Sequence, residues 1–247
     1  MKLLNLNRVT KFVSTHIGDF HESKVNCLAH LNLNTVLKRK NPYLFRAKNI
    51  MVASDFVRDV MDAYLSSSEE KLFGDFLESL ALFVSKETCE GKKSAATGLD
   101  LEFTNKDVHY VVSIKSGPNW GNAGQHRRLK TDLENAVKVL KQSNREVNVQ
   151  PVLGICYGRS KTSYSKGYMK VTGQNFWYLI SGDTELYTKI IEPLGYNAKQ
   201  HNERFLSMKA TQVNLFTEQF MNTFCTRGVI DWGKVVQFNS GNLDLDL

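Results

Sequence analysis

Apolar residues recur at steps of three and four through the first part of the chain. Phe12, Val13, Ile17 and Phe20 form one such set, and Val57, Val60, Met61 and Tyr64 form another, so residues 1–68 are predicted to be helical. The triplet Ser66-Ser67-Ser68, followed by Glu69 and Glu70, predicts a helix stop and a new N-cap with acids in its first turn. The next segment, EEKLFGDFLESLALFVSK, carries one apolar face of Leu72, Phe73, Phe76, Leu77, Leu80, Phe83 and Val84. A second face carries Gly74, Glu78, Ala81 and Ser85, small residues around a single acid that let another element come close to it.

The period then changes from helical to alternating. GLDLEFTNKDVHYVVSIKSG predicts a strand over Leu99–Thr104, a turn at Asn105-Lys106-Asp107 and a return strand over Val108–Ser116. The loop GPNWGNAGQ leads into a helix, RRLKTDLENAVKVLKQ, with Leu129, Leu133, Val137 and Leu140 on one side. VNVQPVLGICYG is a short apolar run between turn signals, the pattern of a buried central strand. A polar loop (GRSKTSYSKG), the apolar FWYLISG and the helical TELYTKIIEPLG follow. A long helix is predicted from about Ala198 to Phe224, then GVIDWGKVVQF, and a tail, LDLDL, that frays or tucks against a partner. Helix, hairpin, helix and strand in this order predict an α+β core wrapped by helices.

Composition narrows the picture. With 247 residues the chain is long enough for one large α/β domain or a core with a helical appendage. Lys and Arg number 32 against 25 Asp and Glu, a net charge of +7 that favours a polyanionic partner, nucleic acid before an anionic membrane. Cys27, Cys89, Cys156 and Cys225 are far apart and make neither a disulfide framework nor a zinc spacing, so a reducing interior is expected. The first twenty residues are broken by Asn, Arg and Lys and supply no signal-peptide core, and no run approaches the ~20 apolar residues that span a bilayer. A cytoplasmic location is expected.

The hairpin holds the chemistry. Alternation places Asp100 and Glu102 on one face of the first strand, and Ser113 and Lys115 on one face of the second, each pair among apolar neighbours. Either that polar face lines a cleft or it is simply solvated. His109, alone on the return strand, reads as an exposed strand residue.

An Asp on one strand, followed thirteen residues later by a Ser-Ile-Lys on the next, resembles the Asp…(Asp/Glu)-x-Lys signature of the PD-(D/E)XK nuclease superfamily. TGLDLEF, VSIKSGPNWGN, KRKNPYLFRAKN and SSSEEKLFGDFLE together resemble one group of bacterial type II restriction endonucleases, a likeness running from about Leu37 to Gly241. It implies a mixed sheet core flanked by helices, with helical N-terminal and C-terminal additions. Residues 1–68 would form a helical segment for dimerisation and DNA contact, and residues 69–247 the nuclease core with C-terminal helices.

The resemblance also implies Mg²⁺, with Mn²⁺ able to substitute, bound by oxygen ligands. Asp100 would be the first ligand and the Ile114 carbonyl a second, while Lys115 would stabilise developing charge or orient the attacking water. This chain departs from the pattern at Ser113, where the superfamily usually has an acid. Serine is a poor Mg²⁺ ligand, so Glu78 on the preceding helix, Glu102, or both must supply the missing carboxylate. A homodimer cutting double-stranded DNA at a short palindromic site, leaving 5′-phosphate and 3′-hydroxyl ends, is the activity implied. A repair or structure-specific nuclease of the superfamily, and a DNA-binding protein on a decayed nuclease scaffold, are the alternatives.

Three segments suit DNA. Lys38, Arg39, Lys40, Arg46 and Lys48 surround Tyr43 and Phe45, and basic side chains neutralise phosphates. His126, Arg127, Arg128 and Lys130 open the helix after the hairpin, where a helix N-terminus suits a phosphate. Asn119, Asn122 and Gln125 lie in the loop near Trp120, and amides of this kind can bond adenine. For each there is a plain alternative: a solvated turn at Asn41-Pro42, a charged first turn, and a loop pinned by its tryptophan.

Overall fold

The computed structural model describes residues 1–245. In chain order the elements are α1 (Leu6–Ala29), α2 (Leu33–Arg39), α3 (Pro42–Ala47), α4 (Ala53–Cys89), β1 (Lys92–Lys93), β2 (Leu101–Asn105), β3 (Val108–Lys115), α5 (Ala123–Ser143) and β4 (Asn148–Ile155). There follow β5 (Ser163–Ser165), β6 (Tyr168–Thr172), α6 (Gln174–Ser181), α7 (Leu186–Lys189), α8 (Ile191–Leu194), α9 (Ala198–Phe224), β7 (Cys225–Thr226), β8 (Val229–Ile230) and α10 (Trp232–Ser240). Leu243–Leu245 of the expected tail belong to no helix or strand, and Asp246 and Leu247 lie outside the described residues.

Two compact units divide these elements. One holds residues 1–17 and 73–196, the other residues 18–72 and those from Asn197 onward. The division falls inside α1 and α4 rather than after residue 68. Ser66–Ser68 do not stop a helix: α4 runs through them, and the Ser67 and Ser68 hydroxyls donate to the carbonyls of Ala63 and Tyr64, one turn back. Serine satisfied in this way is tolerated inside a helix when its flanks pack. Those flanks are apolar on both sides of the triplet, with Val60, Met61 and Leu65 before it and Phe76 and Leu77 after it all buried.

The first unit is built on a six-stranded mixed sheet in the order β1-β2-β3-β4-β6-β5. β3, β4 and β6 run parallel, while β1, β2 and β5 pair antiparallel with their neighbours. The parallel step from β3 to β4 needs a crossover, which α5 provides. Helices therefore cover both faces, as expected for a mixed sheet flanked by helices. Leu101, Phe103, Val112, Ile114, Val152 and Val171 pack with Phe76, Leu77, Leu80 and Val84 of α4 and Phe176, Trp177 and Ile180 of α6. Leu99, Val111, Leu153, Ile155 and Tyr168 pack with Leu129, Leu133 and Ala136 of α5. β4 is the expected central strand. GRSKTSYSKG is not wholly a loop: part of it forms β5 and the turn into β6, a strand that sequence periodicity does not reveal.

The second unit is helical apart from the small β7–β8 ribbon. Phe56 lies at its centre, with Phe45, Phe220 and Trp232 rings about it.

Gly154, the last residue but one of β4, marks where α6 presses on the sheet. A Cβ there would run into the Phe176 ring, which is fully buried and has no solvent-exposed room to yield. Gly154→Ala is expected to cost about 1–3 kcal/mol through overpacking. The change is read as a lower urea midpoint at unchanged slope; an unaltered midpoint would show that the ring moves freely.

Candidate functional site

β2 and β3 carry the site because their register brings Asp100 opposite the end of β3. Leu101 pairs with Val112 and Glu102 with Val111, and the Asp100 N–H donates to the Val112 carbonyl at 2.9 Å. The turn between the strands holds Lys106 and Asp107 both at positive φ, 49° and 61°, the left-handed pair that a two-residue hairpin requires. Asp100 Oδ2 then accepts from the Ile114 N–H at 2.6 Å and from the Ser113 hydroxyl at 3.3 Å. Lys115 Nζ lies 3.9 Å from the same oxygen and donates to the Ile114 carbonyl at 2.9 Å. Its ammonium also stands over the Trp120 ring, 5.6 Å from the centroid. Asp100, Ser113, Ile114 and Lys115 are thus one contiguous group at the carboxyl end of β3, beside the parallel β4. Such an end is where ligands of α/β sheets bind.

Glu78 joins this group from α4. Gly74, one turn before it, leaves α4 so close to the sheet edge that a Cβ at Gly74 would touch Ser116, the residue after Lys115. The carboxyl of Glu78 is held above its ordinary range, first by burial and then by the negative charge of Asp100, with Lys93 and Lys115 pulling the other way. The buried Cys156 thiol at the end of β4 is pushed up as well, chiefly by burial and then by Glu78 and Asp100. Lys93 is a member of the group that sequence reasoning misses. It pairs with Leu101 on the two-residue β1, next in the ladder to Asp100, and a two-residue strand leaves no alternation to find.

Glu102 takes other partners. It is buried, accepts from Ser94 Oγ at 2.6 Å, lies 3.8 Å from His109 Nε2, and lines a cavity with Asp132, Asn135 and Ala136 of α5. The polar positions of the hairpin are accordingly not a solvated face, because α5 covers them. His109 is not an exposed strand residue either: its side chain is 19% exposed, Nδ1 is 3.0 Å from Thr104 Oγ1, and Nε2 is buried without a hydrogen bond.

The segments expected to meet DNA divide by what their side chains already do. Asn122 caps α5 and Gln125 completes a capping box, the Asn122 side chain accepting from the Gln125 N–H while the Gln125 side chain accepts from the Asn122 N–H. Trp120 is half-buried and meets His126 edge-on at 4.3 Å. Asn119, Arg127 and Arg128 are exposed, Arg128 within 3.8 Å of Asp132. In the second unit, Asn41 caps α3 with Pro42 in its first turn, so the expected solvated turn is a helix start. Phe45 is buried, and Tyr43 is 62% exposed. Lys40 donates to the Ala63 carbonyl, and Lys48 pairs with Asp59 at 3.6 Å. Lys38, Arg39 and Arg46 stand exposed over Phe238, Tyr64 and Trp232.

Two acids, a backbone carbonyl and a lysine form an all-oxygen donor set with its own cation. Among the described residues no three His, Cys, Asp or Glu side chains gather as a metal cluster. Mg²⁺ does not require one, because it keeps several waters and is commonly held by one or two carboxylates. No helix of the described residues is long and apolar enough to cross a membrane.

No curated protein matches the chain. A family model does, that of the type II restriction endonuclease EcoO109I, over residues 7–202. The matched span contains β1 to β6 with Glu78, Asp100, Ser113 and Lys115, so the sheet and its acidic edge fall inside the likeness. The chain belongs to the type II restriction endonuclease EcoO109I family.

Proposed function

We propose that the protein is a Mg²⁺-dependent type II restriction endonuclease. In this reading it acts as a homodimer on double-stranded DNA at a short palindromic site and leaves 5′-phosphate ends. The observation that carries the reading is the Asp100 carboxylate, held by the Ile114 N–H and flanked by Lys115 and by the acid of Glu78.

Asp100, Glu78 and the Ile114 carbonyl are the groups that would hold Mg²⁺. The ion would polarise a phosphoryl oxygen and acidify a water. Crowding of two carboxylates supports the choice, since each disfavours the other's charge until a cation lies between them. Ser113 aims Asp100 by donating to it. Lys115, anchored on the Ile114 carbonyl, stabilises charge that develops on the scissile phosphate or orients the attacking water. Glu78 supplies the carboxylate absent at Ser113, whereas Glu102 is engaged by Ser94 and lies near His109. Lys38, Arg39, Arg46, Arg127 and Arg128 are exposed cations available to DNA phosphates.

Digestion of phage DNA with Mg²⁺ tests the activity. Discrete bands are expected; a smear or junction cutting would indicate a repair nuclease, and shifted but uncut DNA a binder on a decayed scaffold. Asp100→Ala and Lys115→Ala are each expected to lower cleavage by about 10²-fold or more, the scale of removing one group that stabilises the transition state. Duplex binding in Ca²⁺ should stay within a few-fold. Glu78→Ala should share that loss and Glu102→Ala should not; the reverse pattern would move the metal site to Glu102.

Glu78 also makes a stability prediction. Its folded carboxyl titrates above the ordinary 4.5. The folded state therefore holds the proton longer than the unfolded state, and stability declines as the pH rises from 4.5 through the raised value. Glu78→Gln removes this penalty, so the variant is expected to gain on the wild type in urea midpoint as the pH rises above 4.5. Added Mg²⁺ should raise the midpoint of the wild type more than that of the variant. Equal shifts in both proteins would exclude Glu78 from the ion's ligands.

A further inference from the structure

Outside the acidic edge, one segment stands out for what it lacks. Between Glu146 and Asp183 the chain has no aspartate or glutamate, yet it carries Arg159, Lys161, Lys166 and Lys170. Arg159, Lys161 and Lys166 are exposed, and among the described residues none of them has an ion-pair partner. Some surface cations elsewhere in this unit are tied to acids, as Lys130 is to Glu134, Lys189 to Asp183 at 2.8 Å and Arg8 to Glu87 at 2.6 Å, but the stretch between Glu146 and Asp183 has no acid of its own to offer. A cluster of unneutralised cations repels itself and is favourable only against an outside anion.

The segment is also built and placed. β5 pairs with β6 through Ser163 with Lys170, Tyr164 with Met169 and Ser165 with Tyr168, and it closes in a two-residue turn, Lys166-Gly167. Both turn residues have positive φ, 56° and 86°, as a tight hairpin demands. At its base the Ser160 hydroxyl donates to Thr172 Oγ1 at 2.8 Å. There Gly158 lies against Pro118, and Gly117 lies under the Tyr157 ring with no room for a Cβ. Gly117 and Pro118 are the second and third residues after Lys115, so the hairpin springs from the sheet end that carries the acidic site. Tyr164 is 72% exposed, and Ser160, Thr162, Ser163 and Ser165 add hydroxyls, the donors that join Arg and Lys in binding phosphates.

We propose that Arg159–Lys170 is a rigid arm that grips the phosphate backbone of duplex DNA alongside the cleavage site. Arg159, Lys161 and Lys166 each neutralise a phosphate. The proposal rests on the nuclease reading for the identity of the polyanion. The arm positions the duplex and carries no base specificity.

Counterion release supplies the test, because each neutralised phosphate contributes about 0.9 to the slope of log affinity against log salt. Binding of an about 30-bp duplex of arbitrary sequence in Ca²⁺ is measured over a series of KCl concentrations. The triple variant Arg159→Ala, Lys161→Ala, Lys166→Ala should have a slope shallower than the wild type's by about two to three. Lys166→Asn alone should be shallower by about one and remain at least as stable, since asparagine tolerates the left-handed turn position better than lysine. Unchanged slopes in folded variants, with a wild type that binds and cuts, would overturn the arm alone. A wild type that binds no duplex would overturn both readings. A wild type that binds without cutting, with reduced slopes in the variants, would support the arm and overturn the nuclease.

Discussion

The hydrogen bond from the Ile114 N–H to Asp100 Oδ2, 2.6 Å long, is the constraint on which the site depends. It joins the residue just before β2 to the residue before Lys115, and a charged acceptor makes it stronger than a neutral bond. It forms only in one register. A slip of one residue between β2 and β3 would turn every side chain to the opposite face and carry Asp100 away from Lys115. The register is protected twice. Lys106 and Asp107 close the turn in the left-handed region, and apolar side chains lock both faces: Leu101, Val112 and Ile114 against α4 and α6, and Val111 with Leu99 against α5. A sheet buried on both sides cannot slide without exposing one core.

That burial sets the electrostatics as well. α4 comes near enough to the end of β3 for a Cβ at Gly74 to be in van der Waals contact with Ser116, and Glu78 on the same helix is partly desolvated beside another acid. The two lysines that oppose this, Lys93 and Lys115, lie on different strands, β1 and β3, and enter the group from different parts of the chain. A site of this kind is destabilising in isolation, since two carboxylates drawn partly out of water each disfavour the other's charge. The surrounding cores absorb the cost. Phe76, Leu77, Leu80, Ala81 and Val84 are buried on the same helix that presents Glu78. The repulsion between the acids is thus borne by an element that its own apolar face holds in place.

These features are unevenly legible in the sequence, for physical reasons. Asp100 and Lys115 stand out because strand alternation makes a charge among Leu101, Phe103, Val112 and Ile114 conspicuous. α9 is legible nearly to the residue, and β4 is legible as a short apolar run between turn signals. Ser66–Ser68 mislead because buried residues on both sides of the triplet carry the helix through it, the Ser67 and Ser68 hydroxyls donating to carbonyls one turn back. His109 misleads because a lone polar residue on a strand says nothing of what covers the strand, and α5 covers this one. Asn122 and Gln125 look like base readers, yet their backbone neighbours need the same polar atoms for a helix cap. β1 and β5 are too short to leave a period, and the polar run before β6 hides it, so neither Lys93 nor the hairpin arm can be recognised from periodicity. The division into units is equally invisible, since it lies within two continuous helices rather than in linkers.

Ser113 is the position at which this chain departs most from the pattern it resembles, and its surroundings account for the departure. The side chain is fully buried and its hydroxyl donates to Asp100. A carboxylate there could only accept, so the bond to Asp100 would become a repulsion between two acids on adjoining strands, with Glu78 as a third charge nearby. Serine instead spends its proton on aiming the acid that remains. In the proposed reading the second carboxylate comes instead from Glu78 on α4, which is only partly buried and keeps access to water that screens its repulsion with Asp100. On this view the missing acid is a redistribution of charge from the sheet to the helix. In that reading the position of α4 belongs to the chemistry as well as to the packing.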